Sequence, residues 1–202
     1  MINISGDSGE YELLTQGIEL SKGVDGICVE IGLRLGLGTK TIIDAVRQYS
    51  PNKTVISIDP YGSILYTCRE PDGPCRLDYD NNMKNTCLSN IYQYIVENPV
   101  SYQFYNWTDS FYFDAMRNGV PVYDLEETIV NKYSFAFLDG PHTVKHICRE
   151  IDFFAPRMDK GAIIILDDIT PDFYNVLEVE DYMKDKFEIV YKGEKKGIYR
   201  RI

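Results

Sequence analysis

Short apolar runs alternate with amphipathic stretches along the chain. Glu10 to Ser21 carries Tyr11, Leu13, Leu14, Ile18 and Leu20, which predicts a helix ending near Gly23. Ile27 to Ile31 (ICVEI) predicts a strand. Thr39 to Tyr49 sets Ile42, Ile43, Val46 and Tyr49 at helical spacing, with Thr39 placed as the cap. Thr54 to Ile58 (TVISI) predicts a second strand. The polar stretch Tyr61 to Asn82, with EPDGP inside it, reads as a long loop or insertion. A helix follows through Met83, Ile91, Tyr94 and Ile95. Ser101 to Tyr105 and Tyr133 to Leu138 (YSFAFL) predict a third and a fourth strand. Val144, Ile147, Cys148, Ile151 and Phe154 then form one apolar helix face. Ala162 to Leu166 predicts a fifth strand, and Thr170-Pro171 an N-cap and first helical residue of a helix running toward Lys184. Phe187 to Tyr191 and Gly197 to Arg201, joined by KGEKK, predict a closing hairpin.

Strands alternating with helices predict an α/β fold with a parallel sheet covered on both faces. The continuous apolar character of YSFAFL and AIIIL fits strands buried on both sides. The closing hairpin adds an antiparallel edge. In such a sheet ligands bind beyond the carboxyl ends of the strands, so the residues after each strand are the candidates for chemistry.

At 202 residues, 44% hydrophobic, the chain reads as a single domain, 1–202, with one well-buried core. Its net charge of −10 argues against nucleic acid, whose affinity comes mainly from Lys and Arg, and against anionic membrane surfaces. No apolar run approaches the roughly 20 residues of a membrane span. The N-terminal stretch lacks a basic start followed by an apolar block, so no secretory signal is expected. Of the cysteines, Cys28 and Cys148 lie among apolar neighbours and read as small core residues. Cys68 and Cys75 can pair or bind metal, but without metal-ligand spacing they read as unrelated loop thiols. The cytoplasm is the expected compartment.

After the first strand stands the run Glu30-Ile-Gly32-Leu-Arg-Leu-Gly36-Leu-Gly38-Thr39. Its glycines permit a tight turn and close approach of backbone to a ligand. The spacing differs from the dinucleotide pattern, and Glu30 would repel a pyrophosphate but accept hydrogen bonds from an amine or hydroxyl. After the second strand, Asp59 can accept both ribose hydroxyls of a nucleoside, or serve as a turn residue before Pro60. After the third, Asp109 or Ser110 can meet an adenine edge, with Trp107 near for stacking, or cap a short helix. After the fourth, Asp139 and His142 stand together, and an imidazole there can serve as a general base. His146, one turn later, reads as a surface residue. After the fifth, Asp167 and Asp168 with Asp139 offer three carboxylates, a set suited to Mg²⁺, unless Asp168 caps the next helix.

These residues resemble a family. VEIGLRLGLGT, SIDPYG and FAFLDGPHTVKHICREIDFFAPRMDKGAIIILDD, with the terminal hairpin, are similar to the class I S-adenosylmethionine-dependent methyltransferases. The nearest group is that of the macrocin O-methyltransferase-like and cephalosporin-hydroxylase-like proteins, with some kinship to catechol O-methyltransferases. The resemblance covers residues 26–202 apart from 61–82. It implies a Rossmann-like three-layer sandwich with a seven-stranded, mostly parallel sheet whose last strand is antiparallel. It implies S-adenosyl-L-methionine as cofactor, with Glu30, Gly32, Gly36, Gly38 and the adjoining Thr39 at its methionine and ribose part. Asp59 is implied at the ribose hydroxyls, Asp109 and Ser110 by the adenine, and Asp139 is counted among the cofactor-binding residues. In metal-dependent members acidic groups after the fourth and fifth strands bind Mg²⁺, here Asp139, Asp167 and Asp168. The catechol relatives have Asp-Asn where this chain has Asp167-Asp168, and a Lys that His142 would replace.

The activity so implied is O-methylation of a small hydroxylated acceptor, with His142 and Asp139 as catalytic residues. A nicotinamide-dependent oxidoreductase is the second reading, opposed by the glycine spacing and Glu30. A non-catalytic nucleoside-binding or interaction module, and a homo-oligomer, are compatible with the sequence. A nucleic-acid methyltransferase is opposed by the charge and by the lack of an N-P-P-[FYW] run after the fourth strand.

Overall fold

Seven strands form the central sheet, and the order of elements explains where their ends converge. The computed structural model describes residues 4–76, 78–124 and 126–202. Residues 1–3, at the start of the stretch read for a secretory signal, and residue 77, inside the stretch 61–82, lie outside the described residues. In chain order the elements are α1 (Glu12–Leu20), β1 (Ile27–Ile31), α2 (Leu37–Tyr49) and β2 (Val55–Ile58). Next come β3 (Leu65–Tyr66), β4 (Cys75–Arg76), α3 (Asn81–Glu97), β5 (Tyr102–Tyr105) and α4 (Asp109–Ala115). They are followed by β6 (Val120–Asp124), β7 (Glu126–Val130), β8 (Tyr133–Leu138), α5 (Val144–Phe154), β9 (Ile163–Leu166), α6 (Val176–Met183), β10 (Phe187–Lys192) and β11 (Gly197–Arg201).

The sheet order is β10-β11-β9-β8-β1-β2-β5. The pairs β9–β8, β8–β1, β1–β2 and β2–β5 are parallel, whereas β11 runs antiparallel to both its neighbours. The closing hairpin therefore does not simply add an antiparallel edge: its last strand inserts between β9 and β10, and β10 forms the rim. Strand alternation divides the core in two. Val29, Ile31, Leu138, Ile164 and Leu166 point to the side of α5 and α6. Cys28, Phe135, Phe137, Ile163 and Ile165 point to the side of α1 and α2. Both faces of β8 and β9 are buried, which is why their sequences are apolar throughout.

Four local expectations change. Helix α2 starts at Leu37, with Gly36 as its cap residue at φ +93°, so Thr39 lies inside the first turn rather than at the cap. Thr170-Pro171 opens a turn, with the Phe173 and Tyr174 N–H groups donating to the Thr170 carbonyl, and α6 starts only at Val176. The stretch 61–82 contains the short β3–β4 pair and the start of α3, capped by the Asp80 carboxylate on the Met83 N–H. The hairpin β6–β7 stands outside the main sheet and was not foreseen. Among the described residues, no helix is long and apolar enough to cross a membrane.

Candidate functional site

A cavity of about 360 Å³ opens beyond the carboxyl ends of the parallel strands. Gly32, Asp59, Asp109, Asp139, His142 and Asp168 reach its wall from five successive strand ends. Asp7 and Ser8, ahead of α1, close one side, and Tyr66, Cys68 and Tyr79 of the 61–82 stretch close another.

The chain leaves β1 through Gly32, at φ +90° with its N–H donating to the Ile58 carbonyl. A Cβ there would overlap the Asp139 carbonyl, so glycine lets the ends of β1 and β8 meet. Glu30 is 1% exposed and lies beneath the cavity. Its Oε2 accepts the hydroxyls of Thr39 (2.5 Å) and Ser57 (2.9 Å), while Oε1 faces Gly38 with no hydrogen-bond partner. Burial pushes its carboxyl up to about 8, partly offset by the two hydroxyls. Of the first-strand candidates, only Gly32 reaches the cavity wall; Gly38 and Thr39 pack on Glu30, and Gly36 on Cys87 and Ile91 of α3.

Asp59 fastens the next turn. Its Oδ2 accepts the N–H groups of Leu33 (2.9 Å) and Arg34 (3.2 Å), and its Oδ1 that of Tyr61 (2.9 Å). Burial raises its pKa, and these three donors oppose the rise. A carboxylate offers roughly four acceptor positions, so a place remains for a ligand hydroxyl.

At the start of α4 the cap is Thr108, not Asp109 or Ser110; its hydroxyl accepts the Phe111 N–H at 3.2 Å. Asp109 is instead ion-paired with Arg149 of α5, whose guanidinium also meets the Ser110 hydroxyl at 2.5 Å. Trp107 packs on Tyr105 and Phe111, at 4.8 and 4.9 Å between ring centroids, and does not line the cavity. His146 does line it, contrary to its reading as a surface residue, with Nδ1 held 2.7 Å from the Thr143 hydroxyl.

His142 precedes α5 and is 4% exposed. Its Nε2 stands 3.4 Å from Asp139 Oδ1 and 3.5 Å from Asp168 Oδ2. The ring lies parallel to Tyr174 at 6.2 Å, with Phe173 edge-on at 5.5 Å. Burial pushes the imidazole down to about 4, so it is neutral near pH 7. Burial, then the charges of Asp167 and Asp168, holds Asp139 well above the ordinary carboxylate range. Burial and Asp167 push Asp168 up to about 6, and its backbone is left-handed, at φ +48°.

The three carboxylates read as Mg²⁺ ligands do not fit that role. Asp167 Oδ1 already accepts the ammonium of the fully buried Lys196 (2.8 Å) and the Asp168 N–H (2.8 Å). Its Oδ2 accepts the Ser8 hydroxyl at 3.4 Å. A protein cation thus compensates Asp167, and no group of three acidic, His or Cys side chains among the described residues is arranged to hold a metal ion. Lys196, Arg149 and Arg34 escaped the sequence reading. Only long-range pairing gives them their places, and nothing in KGEKK separates Lys196 from its solvated neighbours.

A family model described as a methyltransferase domain matches residues 29–169. No curated protein matches the chain in sequence. Solved structures that resemble it include CalS11, a calicheamicin methyltransferase, at 13% identity and TM-score 0.61, over 95% of this chain and 77% of that one. The O-methyltransferase NovP matches at 16% identity and TM-score 0.55, over 95% and 78%. The S-adenosylhomocysteine-bound methyltransferase PaMTH1 of Podospora anserina matches at 9% identity and TM-score 0.55, over 97% and 80%. At these identities the likeness is one of fold.

Proposed function

The chain belongs to the methyltransferase-domain family, and on that premise we propose that it transfers the methyl group of S-adenosylmethionine to a hydroxyl of a small acceptor. The observation that carries this reading is the acid-walled cavity at the strand ends, to which Asp139, Asp59 and Asp109 come from the ends of β8, β2 and β5. S-adenosylmethionine supplies a sulfonium-bound methyl group whose positive charge disperses as the methyl leaves, so transfer needs alignment more than a strong acid. The backbone around Gly32 and the free acceptor position of Asp59 hold the nucleoside. Asp109 and Ser110, fixed by Arg149, border its base. Holding acceptor and donor in line contributes ~7–11 kcal/mol to such a reaction.

The acceptor hydroxyl must lose its proton. His142 is the residue to take it, because its imidazole is neutral near pH 7. Asp168, ionised above about pH 6, stabilises the imidazolium so formed. Asp139, whose carboxyl burial and its neighbours hold above the ordinary range, meets the same Nε2 at 3.4 Å and helps fix the ring. The step draws on no Mg²⁺, because Lys196 already compensates Asp167. Tyr66, Tyr79 and Phe173 give the acceptor an aromatic wall.

Calorimetric titration with S-adenosylhomocysteine and with NADH tests the reading. Saturable binding of the first alone is expected. Binding of NADH alone would transfer the site to nicotinamide chemistry, and release of S-adenosylhomocysteine across a panel of hydroxylated acceptors would identify the substrate.

A further inference from the structure

We propose that Arg34 and Asp7 together read the amino-acid end of the methyl donor: the Arg34 guanidinium takes the α-carboxylate and the Asp7 carboxylate takes the α-ammonium. This rests on the methyl-donor reading above and assigns residues that the glycine-rich run did not suggest. In the structure the two side chains pair with each other, and both line the cavity near Gly32.

Three observations point to a ligand at this place. First, Arg34 is held in a left-handed conformation, φ +46°, which non-glycine residues rarely adopt. Its N–H donates to Asp59 Oδ2 at 3.2 Å, and its carbonyl accepts the Tyr61 hydroxyl at 2.8 Å. Strain of this sort persists where the surroundings over-determine it, typically at binding sites. Second, its guanidinium lies 5.1 Å from the Tyr79 ring centroid, and its Nε is buried with no hydrogen-bond partner among the described residues. The planar fork of a guanidinium suits a carboxylate, and this one has a donor to spare. Third, Asp7 is delivered by an anchored strap. The Glu10 carboxylate accepts the N–H groups of Glu194, Lys195 and Lys196 at 2.8, 2.8 and 2.9 Å. The Ser8 hydroxyl accepts the Lys196 ammonium at 2.7 Å. The strap is thus pinned just after Asp7, at Ser8 and Glu10, and Asp7 faces Arg34.

The charges complement a zwitterion. Asp59, Asp139 and Asp168 share the wall, so an incoming carboxylate needs a cation; of the two basic side chains that line the cavity among the described residues, Arg34 and Lys195, Arg34 is the one set against Asp7. The side chains of Arg34 and Asp7 are 40% and 37% exposed, so their mutual ion pair contributes little and is readily exchanged for two ligand charges.

Calorimetry on the full chain tests this with four probes. They are S-adenosylhomocysteine, its decarboxylated analogue, its deaminated analogue, and methylthioadenosine, which lacks both charged groups. Arg34→Met should weaken S-adenosylhomocysteine and the deaminated analogue about 10- to 100-fold, and leave the decarboxylated analogue and methylthioadenosine unchanged. Asp7→Asn should weaken S-adenosylhomocysteine and the decarboxylated analogue, and spare the deaminated one. The methylthioadenosine arm shows that each variant keeps its nucleoside site. Equal losses for all four probes, or an undiminished affinity for S-adenosylhomocysteine in Arg34→Met, would overturn the assignment alone. If wild type binds none of the four, the methyl-donor reading falls and carries the assignment with it.

Discussion

The Lys196 ammonium lies 2.8 Å from Oδ1 of Asp167, and the two side chains are 0% and 1% exposed. Removing one partner of such a pair leaves the other charge buried and uncompensated, at a cost of about 3–5 kcal/mol. Lys196→Met should therefore lower the melting temperature by about 10 °C for a domain of this size. Combining it with Asp167→Asn should recover more than half of that loss. A single variant that melts with wild type would show that the pair does not hold the end of β9 in place.

The same pair bears on metal dependence. Because Asp167 is already compensated by a side chain of the protein, exhaustive treatment with a chelator should leave methyl transfer unchanged. Loss of turnover on chelation, restored by added Mg²⁺, would contradict the description of this carboxylate cluster.

His142 and Asp168 predict the acid limb of the pH profile. The imidazole sits at about 4, so it stays neutral throughout the range where Asp168, at about 6, changes charge. Turnover should rise with pH and level off above about 6, as Asp168 becomes able to stabilise the imidazolium. Asp168→Asn should remove that limb and lower the plateau about tenfold. His142→Ala should cost about 10²–10⁴ in turnover, the usual contribution of a positioned base. A limb that persists in Asp168→Asn would assign it elsewhere.

Asp59 and Asp139 should separate binding from turnover. Asp59 holds the turn that presents Arg34, and accepts three backbone N–H groups. Asp59→Ala should weaken S-adenosylhomocysteine about 10- to 100-fold, since charge-assisted hydrogen bonds of this kind are worth about 1.5–3 kcal/mol. Asp139→Ala should chiefly lower turnover, because Asp139 fixes the His142 ring. Calorimetry and initial rates on both variants check the division.

Some of this site can be read from the chain because sheet burial leaves a plain trace. YSFAFL and IIIL are apolar without alternation, which marks β8 and β9 as central, and the polar residues that follow them are then at the strand ends. The hairpin β6–β7 left no such trace, since Glu126, Glu127, Thr128 and Ile129 are exposed and no face of β7 needs to be apolar. Thr170-Pro171 carries a helix-start signal, yet the chain turns there instead. The turn brings the Tyr174 hydroxyl 3.0 Å from the Asp167 carbonyl, a tertiary bond that local preference cannot anticipate. Glu30 was legible as a special residue, but not as a buried one: its partners Thr39 and Ser57 come from α2 and β2.

Glu30 gives a stability prediction with a definite sign. Burial raises its pKa from an ordinary 4.5 to about 8, so the folded protein holds this proton more tightly than the unfolded chain does. The stability it contributes is fully present below about pH 4.5 and is lost as pH rises through about 8. Each pH unit between those values is worth up to ~1.4 kcal/mol, so the total is of order 3–5 kcal/mol. Glu30→Gln keeps the shape of the protonated side chain and does not titrate. In denaturant melts, wild type should lose stability relative to Glu30→Gln between pH 5 and pH 9, with most of the gap open by pH 8. The variant should also bind S-adenosylhomocysteine normally, because Glu30 lies below the cavity rather than on its wall. Parallel pH dependences for the two proteins would mean that Glu30 is ionised in the fold, with Oε1 meeting a donor.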